Sequence, residues 1–188
     1  MSFHIVIYMK KSKIILIILL IIVLFLGLYF LKRKPEVPFK DIELPNTSNF
    51  INNRTENKYL DTVILLAADR LGIDAAIISV FPMNEQVRIN FERENNISLT
   101  AFIIGSDYRY AIYTQDLDRM ESITVLSHEL IHLKQYQTKR LVIIGNGVVE
   151  WEGQKIDVNL IPYNDRPWER EAFREETKIS KDLKKILY

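Results

Sequence analysis

From Ile14 to Leu31 every residue is apolar except Gly27 and Tyr29, both of which a bilayer tolerates. Wound as a helix, these 18 residues extend roughly 27 Å, close to the hydrocarbon thickness of a membrane. Lys10, Lys11 and Lys13 flank the run on one side, and Lys32, Arg33 and Lys34 on the other. A cleaved signal peptide has a shorter apolar core and a small-x-small cleavage site, and Leu28-Tyr29-Phe30-Leu31-Lys32 offers none. The run therefore predicts a retained single-pass membrane anchor. Its flanking charges balance, so the positive-inside rule does not choose an orientation. A short N-terminal segment normally stays inside, which places the following domain on the extracytoplasmic side.

This divides the chain into a short N-terminal segment (1–13), a transmembrane anchor (14–31), a proline-bearing linker (32–48) and a domain (49–188). Residues 1–34 hold six of the 25 basic residues and none of the 24 acidic ones, leaving the rest with a net charge of −5. A mildly acidic domain lacks the basic footprint that nucleic acid requires, so no nucleic-acid partner is expected. There is no cysteine, which excludes disulfides, thiolate nucleophiles and Cys-ligated zinc.

Within the domain the hydrophobic period changes along the chain. In NKYLDTVILLAADRLG, Leu60, Val63, Ile64, Ala67 and Leu71 recur at helical spacing and Gly72 marks a stop. AAIISVF, MNEQVRINF, ISLTAFIIG and YRYAIYT follow as short, partly alternating runs, read as an antiparallel sheet. Asp118 and Glu121 then form a capping box for a helix whose stripe is Met120, Ile123, Leu126, Leu130 and Leu133, ending near Thr138. LVII-GNG-VVEW reads as a hairpin and KIDVNLI as a further short run. Pro167 opens a last helix with Ala172, Phe173, Ile179, Leu183 and Ile186 on its apolar side. The expected fold class is α+β: an N-terminal transmembrane helix, then a small domain with an antiparallel sheet and a long helix carrying the motif below.

That helix contains TVLSHELIHLKQY, with His128 and His132 four residues apart and Glu129 beside the first. Residues i and i+4 share a helix face, so both imidazoles can reach one ion. Zn²⁺ with an open fourth position is the usual occupant of such a pair. Glu129 lies about 100° round from His128, to one side of the ion, where a carboxylate can take a proton from metal-activated water. Two histidines on a helix can also be idle at a surface. Here, however, Val125, His128, His132 and Gln135 or Tyr136 share a face that is not simply core.

A third protein ligand is needed. Position 135 is Gln and position 138 is Thr, which excludes the HExxHxxGxxH pattern, and His4 precedes the apolar run. A carboxylate is left, and RPWEREAF offers Glu169 and Glu171 on a helix that can lie beside HELIH. HELIHLKQ followed by PWEREAF resembles the gluzincin class of zinc metallopeptidases, which includes thermolysin-like enzymes. More specifically it resembles the small single-domain minigluzincins and peptidases with an HExxHxxQ helix. The resemblance covers roughly 101–176 and implies an HExxH helix, a later helix giving a glutamate ligand, and a sheet edge that binds substrate. YRYAIYT is where that edge is expected. In that class the ligand glutamate is often followed by a small residue at +3 and an acidic one at +4. Glu169 has Ala172 and Phe173 there, whereas Glu171 has Arg174 and Glu175. A small +3 residue lets helices approach closely, which favours Glu169, with Glu171 as the alternative. The two are about 200° apart on a helix, so only one can face the ion.

The resulting expectation is a membrane-anchored zinc metallopeptidase acting on peptide or protein substrates, with Zn²⁺ on His128, His132 and Glu169 (alternatively Glu171). Glu129 is the general base. Tyr163 is the candidate oxyanion donor; Arg166, also close in sequence to the proposed ligand, and Tyr136, one turn beyond His132, are further candidates. The alternative is a catalytically inactive, peptidase-like module that captures or scaffolds peptides.

Overall fold

The computed structural model describes residues 51–54, 57–73, 75–95, 98–106 and 108–188. The chain divides into two compact units, Met1–Val37 and Pro38–Tyr188, and all described residues belong to the second. The expected anchor, 14–31, lies outside the described residues. Among the described residues no helix is long and apolar enough to cross a membrane. The transmembrane element of the expected fold class, and the single-pass, extracytoplasmic location drawn from it, are corrected accordingly. What is described is a mixed α+β domain.

A four-stranded sheet has the order β1-β2-β4-β3. β1 (Ile51–Arg54) lies near the start of the expected domain, and helix α1 (Lys58–Leu71) carries the chain to β2 (Ala76–Pro82). Asn57 caps α1 by accepting the N–H groups of Tyr59 and Leu60, and Gly72 ends it in the left-handed conformation (φ 61°) that glycine adopts cheaply. A strand–helix–strand crossover returns the chain in the same direction, so β1 and β2 pair in parallel.

MNEQVRINF is not a strand. It forms helix α2 (Glu85–Asn95), started by Asn84 accepting from the N–H groups of Gln86 and Val87. Gln86–Asn90 and Arg88–Glu92 bonds, one turn apart, support it. The alternation of Val87, Ile89 and Phe91 that suggested a strand leaves Val87 47% and Ile89 41% exposed. With that strand gone, β3 (Ala101–Ser106) takes the outer edge. β4 (Arg109–Thr114) returns between β3, antiparallel, and β2, parallel. The sheet is thus mixed, not antiparallel. β4, expected to be the substrate edge, is paired on both sides, and the edges of this sheet are β1 and β3.

Helix α3 (Arg119–Gln137) starts at the capping box of Asp118 and Glu121, with both reciprocal bonds formed. Ile123, Leu126, Leu130 and Leu133 are buried in the main core with Val63 and Ile64 of α1 and Ile78, Ile103 and Ile112 of the sheet. A meander of β5 (Leu141–Gly145), β6 (Val148–Trp151) and β7 (Gln154–Asp157) forms a second sheet. KIDVNLI supplies β7 and a single 3-10 turn, Val158–Leu160. A second such turn, Tyr163–Asp165, precedes helix α4 (Pro167–Leu187), in which Pro167 sits at the first helical position. Leu141, Trp151 and Trp168 make a small separate core where the meander meets α4. Ala172, fully buried, brings α3 and α4 close together.

Candidate metal centre

α3 sets His128 and His132 one turn apart, their rings nearly perpendicular at 79° with centroids 4.7 Å apart. Their Nε2 atoms are 3.0 Å apart, and Glu169 Oε2 lies 3.3 Å from each. Tetrahedral ligands held 2.0–2.1 Å from an ion stand about 3.3 Å from one another, so this N₂O set fits a tetrahedral cation with one position left open. The three residues are 5–8% exposed. Glu171 is elsewhere: its carboxylate takes both Arg140 terminal nitrogens, at 2.7 and 2.8 Å. Arg140 also binds Glu152 and lies over the Trp151 ring. Glu171 therefore ties the start of the meander to α4, and Glu169 faces the histidines.

The far side of each imidazole is also held. His128 Nδ1–H donates to Glu176 Oε2 at 2.7 Å, and His132 Nδ1–H donates to Gln135 Oε1 at 2.8 Å. With the ring proton on Nδ1, both Nε2 lone pairs face the cluster. Sequence reasoning missed both partners. Glu176 follows Glu169 by seven residues, two turns along the same face of α4, and that spacing was the available signal. At the +4 position Phe173 instead lies on the His128 ring, centroids 4.9 Å apart.

Glu129, Glu169 and Glu176 bring three carboxyl groups to two imidazoles. Burial draws the His128 pKa down, but hydrogen bonds to Glu169 and Glu176 outweigh it and hold the value up at about 10. His132 is raised against the effect of burial by a hydrogen bond to Glu169 and by the charges of Glu169 and Glu129. Burial pushes Glu169 up, yet its bonds to the two imidazoles bring it down to about 2. Two protons, or one divalent cation, offset two of these three negative charges. Glu129 differs: burial raises its pKa, and the nearby histidines only partly oppose that. Among the described residues, its Oε2 and Arg166 Nε are buried atoms with no hydrogen-bond partner. A carboxylate oxygen buried and unpaired is costly, and it makes chemical sense where a water or substrate docks.

Tyr163 borders the cluster. Burial, then the charge of Glu169 and a hydrogen bond to it, raise the phenol pKa. Arg166 lies over its ring at 5.1 Å, and Phe91 of α2 meets it edge-on at 6.4 Å. Burial pushes Tyr136 up to about 12, with the charges of Glu129 and Glu169 adding to it. A cavity of about 540 Å³ opens on the outer face of the main sheet, along Ile77, Ser79, Phe81, Ile104 and Arg109. It includes none of the cluster residues.

No protein-family model matches the chain, and no curated protein or solved structure is significantly similar to it. The site stands on its own geometry.

Proposed function

We propose that the chain is a zinc-dependent peptidase of gluzincin type, with the ion on His128, His132 and Glu169 and Glu129 as general base. One observation carries the reading. Three donor atoms at tetrahedral spacing lie beside a buried carboxylate that has one oxygen left open. Zinc bound there supplies Lewis acidity toward a water and the scissile carbonyl. Glu129 Oε2 takes the proton of the attacking water and delivers it to the leaving amine. Tyr163, whose phenol is raised in pKa by burial and by the charge of Glu169, is the candidate donor to the carbonyl oxygen as negative charge develops there. The substrate we propose is an extended peptide adding to edge strand β3, where main-chain pairing is tolerant of sequence.

The test is hydrolysis of an unstructured protein by the wild type and by Glu129→Gln. Turnover is expected to fall about 10²–10⁴-fold, the usual worth of a general base, while metal content stays the same. Full turnover in E129Q would overturn the mechanism. Metal without hydrolysis in the wild type would favour the peptide-binding module.

A further inference from the structure

Gln135 is buried at 1% exposure, and both ends of its amide are used. Oε1 accepts from His132 Nδ1–H, and Nε2 donates to the carbonyl oxygen of Trp168 at 3.1 Å. Trp168 directly precedes Glu169. One side chain therefore touches the back of one candidate ligand and the peptide unit that carries another. Burying an amide is costly unless donor and acceptor are both matched, and an apolar side chain of similar volume beside Trp168 would avoid that cost. The fold alone gives no reason for an amide here.

Glu176 serves the other histidine, with a short charge-assisted bond at 2.7 Å. From His128 to Gln135 along α3, the partners on α4 run backward from Glu176 to Trp168. The helices are thus antiparallel, with a clamp at each end of the cluster.

We infer that Gln135 and Glu176 are the positioning residues of this centre, and that Gln135 fixes His132 and Glu169 relative to each other. The inference rests on the metal-centre reading above. It also explains how the site dispenses with an acidic residue at +4 from Glu169. Phe173 covers His128 from that position, and the carboxylate comes from one turn further along α4.

The experiment is chelator competition for Zn²⁺ and Co²⁺ on the full chain, with the visible spectrum of the Co²⁺ form and thermal unfolding of the metal-free form measured beside it. Gln135→Met and Glu176→Ala are each expected to weaken metal binding about 10–100-fold and to shift the Co²⁺ bands. Glu176→Gln, which can still accept from Nδ1–H, is expected to recover much of that loss. In a Glu169→Ala background, Gln135→Met should cost clearly less than in the wild type, because one of the two ligands it holds is gone.

Unchanged affinity and spectrum in Gln135→Met, with only a lower melting temperature, would overturn the inference and leave Gln135 a packing residue. Additive losses in the Glu169→Ala background would overturn its second half. If Gln135→Met does not fold, the Glu176 pair still decides the positioning claim. A folded wild type that binds neither metal would overturn the metal-centre reading itself, an outcome distinct from all of these.

Discussion

α1 and α3 lie side by side in the main core, yet they bury different chemistry. α1 buries Val63, Ile64, Leu65, Leu66, Ala67 and Ala68, and its buried hydroxyls donate to backbone carbonyls, Thr62 to Lys58 and Tyr59 to Arg119. α3 buries Ile123, Leu126, Leu130, Ile131 and Leu133 on one side, and His128, Glu129, His132 and Gln135 as well. The apolar residues account for the fold of both helices. The polar ones on α3 add nothing to core burial and bring a desolvation cost. Their mutual pairing, and the one oxygen left over, are what distinguish a helix that supports from a helix that reacts.

The largest effect should come from the shared apolar side. Ile64→Ala and Leu130→Ala each remove a fully buried side chain and should cost about 2–5 kcal/mol in urea unfolding. In the Ile64 variant, metal affinity of the folded protein should remain as in the wild type. Loss of both together would mean that the two regions are not separable. Glu129→Met should move stability the other way. It replaces a buried carboxylate with an unpaired oxygen by an apolar chain, and the metal-free protein should gain about 1–3 kcal/mol. A urea midpoint that stays put or falls would mean that Oε2 is satisfied in solution, and the contrast between α1 and α3 would lose its sharpest point.

These same helices were the most legible part of the sequence. Gly72, the Asp118–Glu121 box and Pro167 mark their ends through local chemistry, and the 3.6-residue stripe sets their inward faces. α2 was misread because three alternating apolar residues resemble a strand, while the Asn84 cap and the pairs one turn apart decide the matter. Parallel pairing of β1, β2 and β4 was not legible, since strand direction depends on crossovers rather than on any local pattern. At the site, His128, Glu129 and His132 announced themselves by spacing. Ala172 at +3 favoured Glu169 over Glu171, but the ion pair that holds Glu171 away was not legible, because Arg140 is distant in sequence. The seven-residue spacing hinted at Glu176, but its pairing with His128 and that of Gln135 with Trp168 depend on the crossing of α3 and α4.

Smaller effects lie outside both helices. Arg140→Ala breaks a half-exposed network with Glu152 and Glu171 and should cost about 1 kcal/mol or less in its ionic part. Glu92 gives the least. The Leu99 N–H, helped by Arg88 and Ser98, holds its carboxyl below the ordinary carboxylate range. A depressed folded-state pKa stabilises above that range, and the contribution fades as pH falls through the folded value. Wild type and Glu92→Gln should therefore differ slightly near neutral pH and converge in acid. Divergence in acid would show the sign to be wrong.

Metal content of the folded protein tests the central claim most directly, measured for the wild type, Glu169→Ala and Glu171→Ala after exposure to Zn²⁺ and removal of the excess. The geometry predicts about one zinc per chain in the wild type and in Glu171→Ala, and little in Glu169→Ala. A wild type that folds and retains none, or a Glu169→Ala protein that retains it fully, would contradict a metal centre built on His128, His132 and Glu169.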